Sequence, residues 1–358
     1  MLRPSPARLL AAGMVALLIA MAIPAHAPAA SLQAFVLTGA PDSLADLQAH
    51  ARDIGVVYPT TYECEPVTGA IVAEGAGGQA GGQSDGQTGA EVDAETGAIT
   101  AYARAQHIAV MPRFSCQDGP TVHTILTEPR TRARTIAGLV AIAESSAYAG
   151  LNLDLENDAS TDRDALTSFV QTLARQLHAR AKKLAVDVDG VTHDDPSIST
   201  GFYDDRALVA AADYVFVIAW GTHWEGSAPG PIAPLSYVSA VARYVASLPH
   251  ANRFVLGVPM YGLDWPVPTV SSAHPRASAL QYSNVLTLIH ATGSSPVLDR
   301  AADEPMFTYK RAGVTHRVWY MDAQSVADRL RIARAYGLRA GVWRLGGEDQ
   351  TLWSSPGV

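Results

Sequence analysis

Eight short aliphatic runs alternate along this chain with amphipathic stretches of helical period, and that alternation limits the folds open to it. The runs lie at 34–38, 54–58, 108–114, 150–156, 184–189, 214–220, 253–261 and 341–345. Helical periodicity fills 44–53, 130–145, 162–182, 235–248 and 323–336. Strands separated by helices make parallel βα units, because a parallel partner is reached only by a crossover. Eight such units predict an α/β chain folded as a (β/α)8 TIM barrel, which needs roughly 250 residues plus insertions. A doubly wound open sheet is disfavoured, since Gly39-Ala40-Pro41-Asp42 stands where a glycine-rich phosphate turn would follow the first strand. Two stretches break the repeat. Residues 75–97, rich in Gly, Gln and Ala, are expected to form a flexible loop. Residues 265–321 are too long for one connection and carry a helix-like 277–291 and strand-like 306–310 and 316–321. They predict a small α+β insertion between strands seven and eight. After Leu345 only a short tail remains, too little for a full eighth helix.

Residues 1–30 read as an export signal rather than fold. Arg3 and Arg8 precede an apolar run over 9–23, and small residues over 25–30 offer cleavage sites, best before Ala30 or Ser31. The apolar run is shorter than the roughly 20 residues of a spanning helix, so no stable membrane insertion is expected after cleavage. The expectation is a secreted protein, extracellular or periplasmic, with 31–358 as one monomeric domain. A net charge of -8 with scattered basic residues argues against nucleic acid as a partner. There is no HExxH and no Cys/His cluster of zinc spacing, and His193 beside Asp194 and Asp195 reads as a solvated loop, so neither metal nor cofactor is implied. Cys64 and Cys116 each follow a strand-like run. If those strands are adjacent and parallel, both thiols emerge at one sheet edge, where a disulfide can close; two free thiols are the alternative.

The fourth run carries chemistry. Alternate side chains of a strand face opposite ways, so Leu151, Leu153 and Leu155 share one face and Asn152, Asp154 and Glu156 the other. Burying carboxylates costs several kcal/mol unless they are compensated, so such a row marks a site sooner than a core. Barrel sites sit at the C-terminal strand ends. That position nominates Tyr58 and Arg113, and Tyr261 at the end of strand seven with a core role as the alternative; Asp187 and Asp189 alternate on strand five as Asp154 and Glu156 do on strand four, so one of them is expected to line the cleft, with loop capping as the alternative.

Gly150-Leu-Asn-Leu-Asp-Leu-Glu156 resembles the DGxDxDxE signature of glycoside hydrolase family 18, with Asn in place of the first strand Asp. Further segments match in order: Ile125-Leu-Thr-Glu-Pro129, Trp224-Glu-Gly-Ser-Ala-Pro-Gly-Pro231, Leu256-Gly-Val-Pro-Met-Tyr-Gly-Leu-Asp-Trp265, Val318-Trp-Tyr-Met-Asp322 and Gly341-Val-Trp-Arg-Leu-Gly-Gly-Glu-Asp349. Together they resemble the branch containing spore-cortex and cell-wall N-acetylglucosaminidases. The resemblance implies a chitinase-like glycosidase acting on an N-acetylglucosamine-containing polysaccharide, peptidoglycan or chitin-like. It implies retention of configuration, with the substrate acetamide as nucleophile. Glu156 would be the acid and Asp154 the acetamide partner that also raises the pKa of Glu156. Asn152 would support Asp154 by a hydrogen bond, and Trp343 would form the floor beneath the sugar. One segment departs from the pattern. Where the family carries Met-x-Tyr-Asp on strand six, this chain has Ile218-Ala219-Trp220-Gly221. Trp220 keeps one N–H donor and Gly221 offers no side chain. His223 or Asp187 would have to compensate, and the alternative function is a weakened or inactive barrel that binds carbohydrate.

Overall fold

The computed structural model describes residues 31–74, 89–145, 148–156, 159–197, 199–267 and 276–355. The expected signal segment, 1–30, lies outside them. Eight parallel strands form at β1 Leu32–Val36, β2 Ile54–Cys64, β3 in two pieces (Ala109–Val110 and Arg113–Cys116), β4 Gly150–Leu155, β5 Lys183–Asp189, β6 Tyr214–Ile218, β7 Phe254–Pro259 and β8 Arg339–Trp343. Each pairs with its chain neighbour, and β8 pairs with β1 at Gln33↔Gly341 and Ala34↔Val342. The sheet is therefore the closed eight-stranded barrel that the alternation demands.

Two layers hold it. Outside, Leu151, Leu153 and Leu155 join a continuous aliphatic layer with side chains such as Phe169, Val170 and Leu173 of the helix Arg163–His178. Inside, Phe35, Tyr58, Met111, Phe216 and Val255 plug the barrel. Phe35 meets Phe216 edge-on at 5.0 Å, a preferred aromatic geometry. Space for the Phe216 ring comes from glycine: a Cβ on Gly257 or Gly341 would lie 2.5 or 2.4 Å from its atoms.

Tyr58 belongs to this plug and not to a cleft, which corrects the expectation for it. β2 runs on through Cys64, so Tyr58 sits in mid-strand rather than at the strand end, with its hydroxyl bonded to Gln33 Oε1. The extension is held by an antiparallel pairing of Tyr62–Cys64 with Ile71–Ala73. It also brings Cys64 level with Cys116, since Glu63 pairs with Ser115 one residue earlier. The two cysteines are joined in a disulfide with Cα atoms 5.1 Å apart.

The loop expected over 75–97 is in part a helix, Gly89–Ala105. Val92, Thr96, Ile99 and Ala103 recur at helical spacing and are buried, a stripe hidden by the surrounding low-complexity composition. Residues 75–88 of that stretch lie outside the described residues. The insertion follows almost directly on β7, starting at Gly262 rather than at 265. Among the described residues it is a five-stranded antiparallel sheet with one helix, Tyr282–Thr292. Arg329, buried in the helix Ala323–Ala335, fastens it to the barrel: it donates to the carbonyls of Ala233 and Ala302 and to Glu304. Glu304 in turn accepts the N–H groups of Ile232 and Ala233 at 2.7 Å. Among the described residues the tail forms a 3-10 turn, Gln350–Ser354. Among the described residues no helix is long and apolar enough to cross a membrane, and no group of three or more His, Cys, Asp or Glu is placed to hold a metal ion.

Candidate active site

A cleft of about 590 Å³ opens at the C-terminal ends of the strands, and the polar face of β4 forms part of its wall. Glu156 is the first residue beyond that strand. Its N–H still bonds to the Cys116 carbonyl at 2.9 Å, so the neighbouring strand fixes its backbone. Gln117 donates to Glu156 Oε1 at 3.2 Å. Burial, then repulsion from Asp154, lifts the Glu156 carboxyl to about 7.

One step deeper, Asp154 is gripped by Arg113, whose Nε and Nη2 donate to the same oxygen, Oδ2, at 2.8 and 2.5 Å. Arg113 also donates to Ser115 Oγ at 2.9 Å and lies 5.3 Å over the ring of Trp343. Trp343 rests in turn on Phe35, 5.0 Å away, so the aromatic floor is wedged between the plug and a guanidinium. Asn152 does not support Asp154, contrary to expectation. It donates to Asp187 Oδ1 at 2.6 Å and lies fully buried below the cleft. Asp187 does line the cleft, and burial followed by repulsion from Asp154 pushes its carboxyl up.

Trp220 and Tyr261 face the same cleft; Trp220 is braced edge-on against Phe216 at 6.3 Å, and burial pushes the Tyr261 phenol up. His223 is engaged by its own loop, with Nδ1 2.8 Å from the Pro231 carbonyl, and does not line the cleft. Gly221 has φ +87° with open space where a Cβ would stand. The backbone here adopts a conformation that favours glycine, so an aspartate at this position would strain it. Gly221→Asp is expected to cost about 1 kcal/mol in urea denaturation and to leave kcat within a few-fold of the parent in a reducing-end assay.

Sequence reasoning missed several lining residues. Glu74 follows the short strand Ile71–Ala73 and has an oxygen 3.8 Å from Arg113. Gln117 was signalled only by its place after Cys116. Trp224, 53% exposed, stands at the rim, and its signal in the sequence was its place at the head of the segment Trp224–Pro231.

The comparisons agree with this geometry. The protein of Bacillus subtilis (strain 168) named "Putative sporulation-specific glycosylase YdhD" is 30% identical over 240 residues, 66% of this chain and 55% of that protein. Human di-N-acetylchitobiase is 25% identical over 243 residues, 61% of this chain and 63% of its own length. The chain thus spans little more than half the length of such relatives. The crystal structure of a chitinase from Chromobacterium violaceum ATCC 12472 superposes with a TM-score of 0.75 at 27% identity, covering 91% of this chain and 97% of that one. The family profile of the glycosyl hydrolases family 18 matches residues 84–347, a span that runs from the second βα unit through β8 and holds Asp154, Glu156 and Trp343, and the chain belongs to that family.

Proposed function

We propose that this chain is a secreted glycosidase that cleaves β-linked N-acetylglucosamine polymers with retention, the substrate's own acetamide acting as nucleophile. The observation that carries the reading is the placement of Asp154 and Glu156 side by side on one strand face. An ordinary retaining pair flanks the bond from opposite sides of the sugar about 5 Å apart, whereas neighbours on one face cannot attack and protonate from opposite sides. The nucleophile is then the acetamide carbonyl oxygen. Glu156, whose carboxyl ionises at about 7 and so keeps a large protonated fraction at neutral pH, gives its proton to the glycosidic oxygen as the bond to the anomeric carbon breaks. Both Arg113 bonds fall on Asp154 Oδ2, which leaves Oδ1 to accept the acetamide N–H and to stabilise the oxazolinium charge. Water then opens the oxazolinium and returns its proton to Glu156. Trp343 supplies the apolar face beneath the pyranose.

Peptidoglycan and chitin-like chains are the proposed substrates, supported by relatives named cortical fragment-lytic enzyme and chitinase. Export is supported by the charged-then-apolar start of the chain and by a disulfide, which persists in oxidising compartments. Gly221 supports one second reading, a barrel that binds carbohydrate without turnover. Mass spectrometry of products from peptidoglycan and chitooligosaccharides separates the two: new reducing ends remove the binding reading, and their absence from both substrates removes the enzyme reading.

The pH dependence has a definite sign. The acid must hold its proton, so kcat/KM is expected to fall tenfold per pH unit once pH rises well above about 7, the value for the Glu156 carboxyl. A rate that keeps climbing to pH 9 would exclude Glu156 as the acid.

A further inference from the structure

One wall of the cleft carries more negative charge than the reaction uses. Register places Glu63 of β2 beside Ser115 of β3, and Ser115 beside Asp154 of β4, so one row across three strands holds two carboxylates facing the cleft. Glu74 closes over this row, its backbone N–H bonded to the Thr61 carbonyl at 2.9 Å. The cation between them is Arg113, which is committed to Asp154 at 2.5 Å and reaches Glu74 at only 3.8 Å. Glu74 lines the cleft with its side chain 9% exposed, and its Oε2 has no hydrogen-bond partner. An unpartnered carboxylate oxygen at that depth costs free energy comparable to a lost hydrogen bond to a charged group, and native structures seldom leave one without a use.

From this arrangement we infer that Glu74, with Glu63 behind it, forms a subsite for a primary ammonium group carried by the substrate next to the unit being cleaved. The inference rests on the glycosidase reading above and narrows its substrate class. An ammonium group has three donors and no acceptor, which suits a pocket offering carboxylate oxygens and one open lone-pair position. Two sources carry this chemistry: the 2-amino group of a deacetylated glucosamine unit, and a free amine on a peptide attached to the glycan. A neutral N-acetyl group at the same place offers a single N–H donor and no charge, so it would leave the excess negative charge of this wall uncompensated. Burial and repulsion from Glu63 push the Glu74 carboxyl up, and a cation placed beside it favours the anion.

Binding, which needs no turnover, tests this apart from the enzymatic reading. Calorimetry on the full chain carrying Glu156→Gln would compare chitohexaose, a partially deacetylated hexamer and the same hexamer after chemical re-acetylation. A second set would use muropeptide-bearing glycan fragments with their peptide amines free or acetylated. The amine-bearing ligand of at least one set is expected to bind about tenfold tighter than its acetylated partner. Adding Glu74→Gln should reduce that ratio to near one, and 0.5 M salt should reduce it in the parent protein. Should Glu74→Gln fail to fold, Glu63→Gln and the salt series carry the same test. A preference confined to one set identifies the amine's source. Equal affinity within both sets, or a preference untouched by both glutamate substitutions, overturns the subsite. Hydrolysis of fully acetylated chitohexaose by the unsubstituted protein is the separate check on the enzymatic reading, so either can fail alone.

Discussion

Glu156→Gln is expected to lower kcat by roughly 10³-fold with little change in KM, because the amide fills the same space but cannot protonate a leaving oxygen. The contact from Gln117 can survive, since the amide oxygen still accepts from Nε2, now at 3.2 Å. A second readout moves the opposite way. In the folded protein this carboxyl ionises at about 7 rather than 4.5, so the fold favours its protonated form. Below the unfolded value both states hold the proton and nothing is lost. As pH rises from there to the folded value, the unfolded state ionises freely while the native state still holds its proton, and stability drops until both are ionised. Gln removes that loss. The variant should therefore match the parent at pH 4 and exceed it at pH 8 by about 1–2 kcal/mol in urea denaturation, after discounting for solvent access. Loss of activity joined to a gain in stability on the alkaline side marks a group strained for catalysis; wild-type activity in the variant would remove Glu156 from the mechanism.

What could be read from the sequence divides along a physical line. The eight strands were legible because buried parallel strands need continuous aliphatic runs, and the Asp154–Glu156 face because polar residues broke such a run at period two. β2 was legible only in part: Thr60, Thr61 and Glu63 look like the end of a strand, yet the strand runs on through them to Cys64, with Tyr62–Cys64 paired to Ile71–Ala73. That extension is why Tyr58 turned out to be core. The partners of the polar row were not legible. Asn152 has Asp154 two residues along its own strand and Asp187 diagonally across on β5, distances that are nearly alike in a sheet. Arg113, diagonal to Asp154 from the other side, takes that carboxylate and leaves Asn152 to Asp187. Such a choice depends on three strands at once. Glu74 is likewise placed by a hairpin whose pairing only the assembled barrel supplies.

Arg113→Met is expected to destabilise the protein by about 3–5 kcal/mol, the range for removing one member of a buried ion pair and leaving its partner uncompensated. Here Asp154 would be left facing Glu74 and Glu156 with no cation on that wall, and Met would retain only the packing against Trp343. Arg113 acts through Asp154 and Glu156 as a positioning residue, so stability is not the sole readout. Its charge holds the Glu156 carboxyl below the value that burial and Asp154 alone would set. Without it that carboxyl moves further up, and the alkaline limb of the kcat/KM profile should shift to higher pH even as kcat falls about 10²-fold from the loss of a fixed acetamide partner. Arg113→Lys keeps the charge but not the planar fork that places two N–H groups on Oδ2. It should restore the position of the alkaline limb while recovering only part of kcat. A purely structural arginine would lower stability and leave the limb where it was in both variants. Urea denaturation and the pH–rate profile of the two variants, measured side by side, decide between these outcomes.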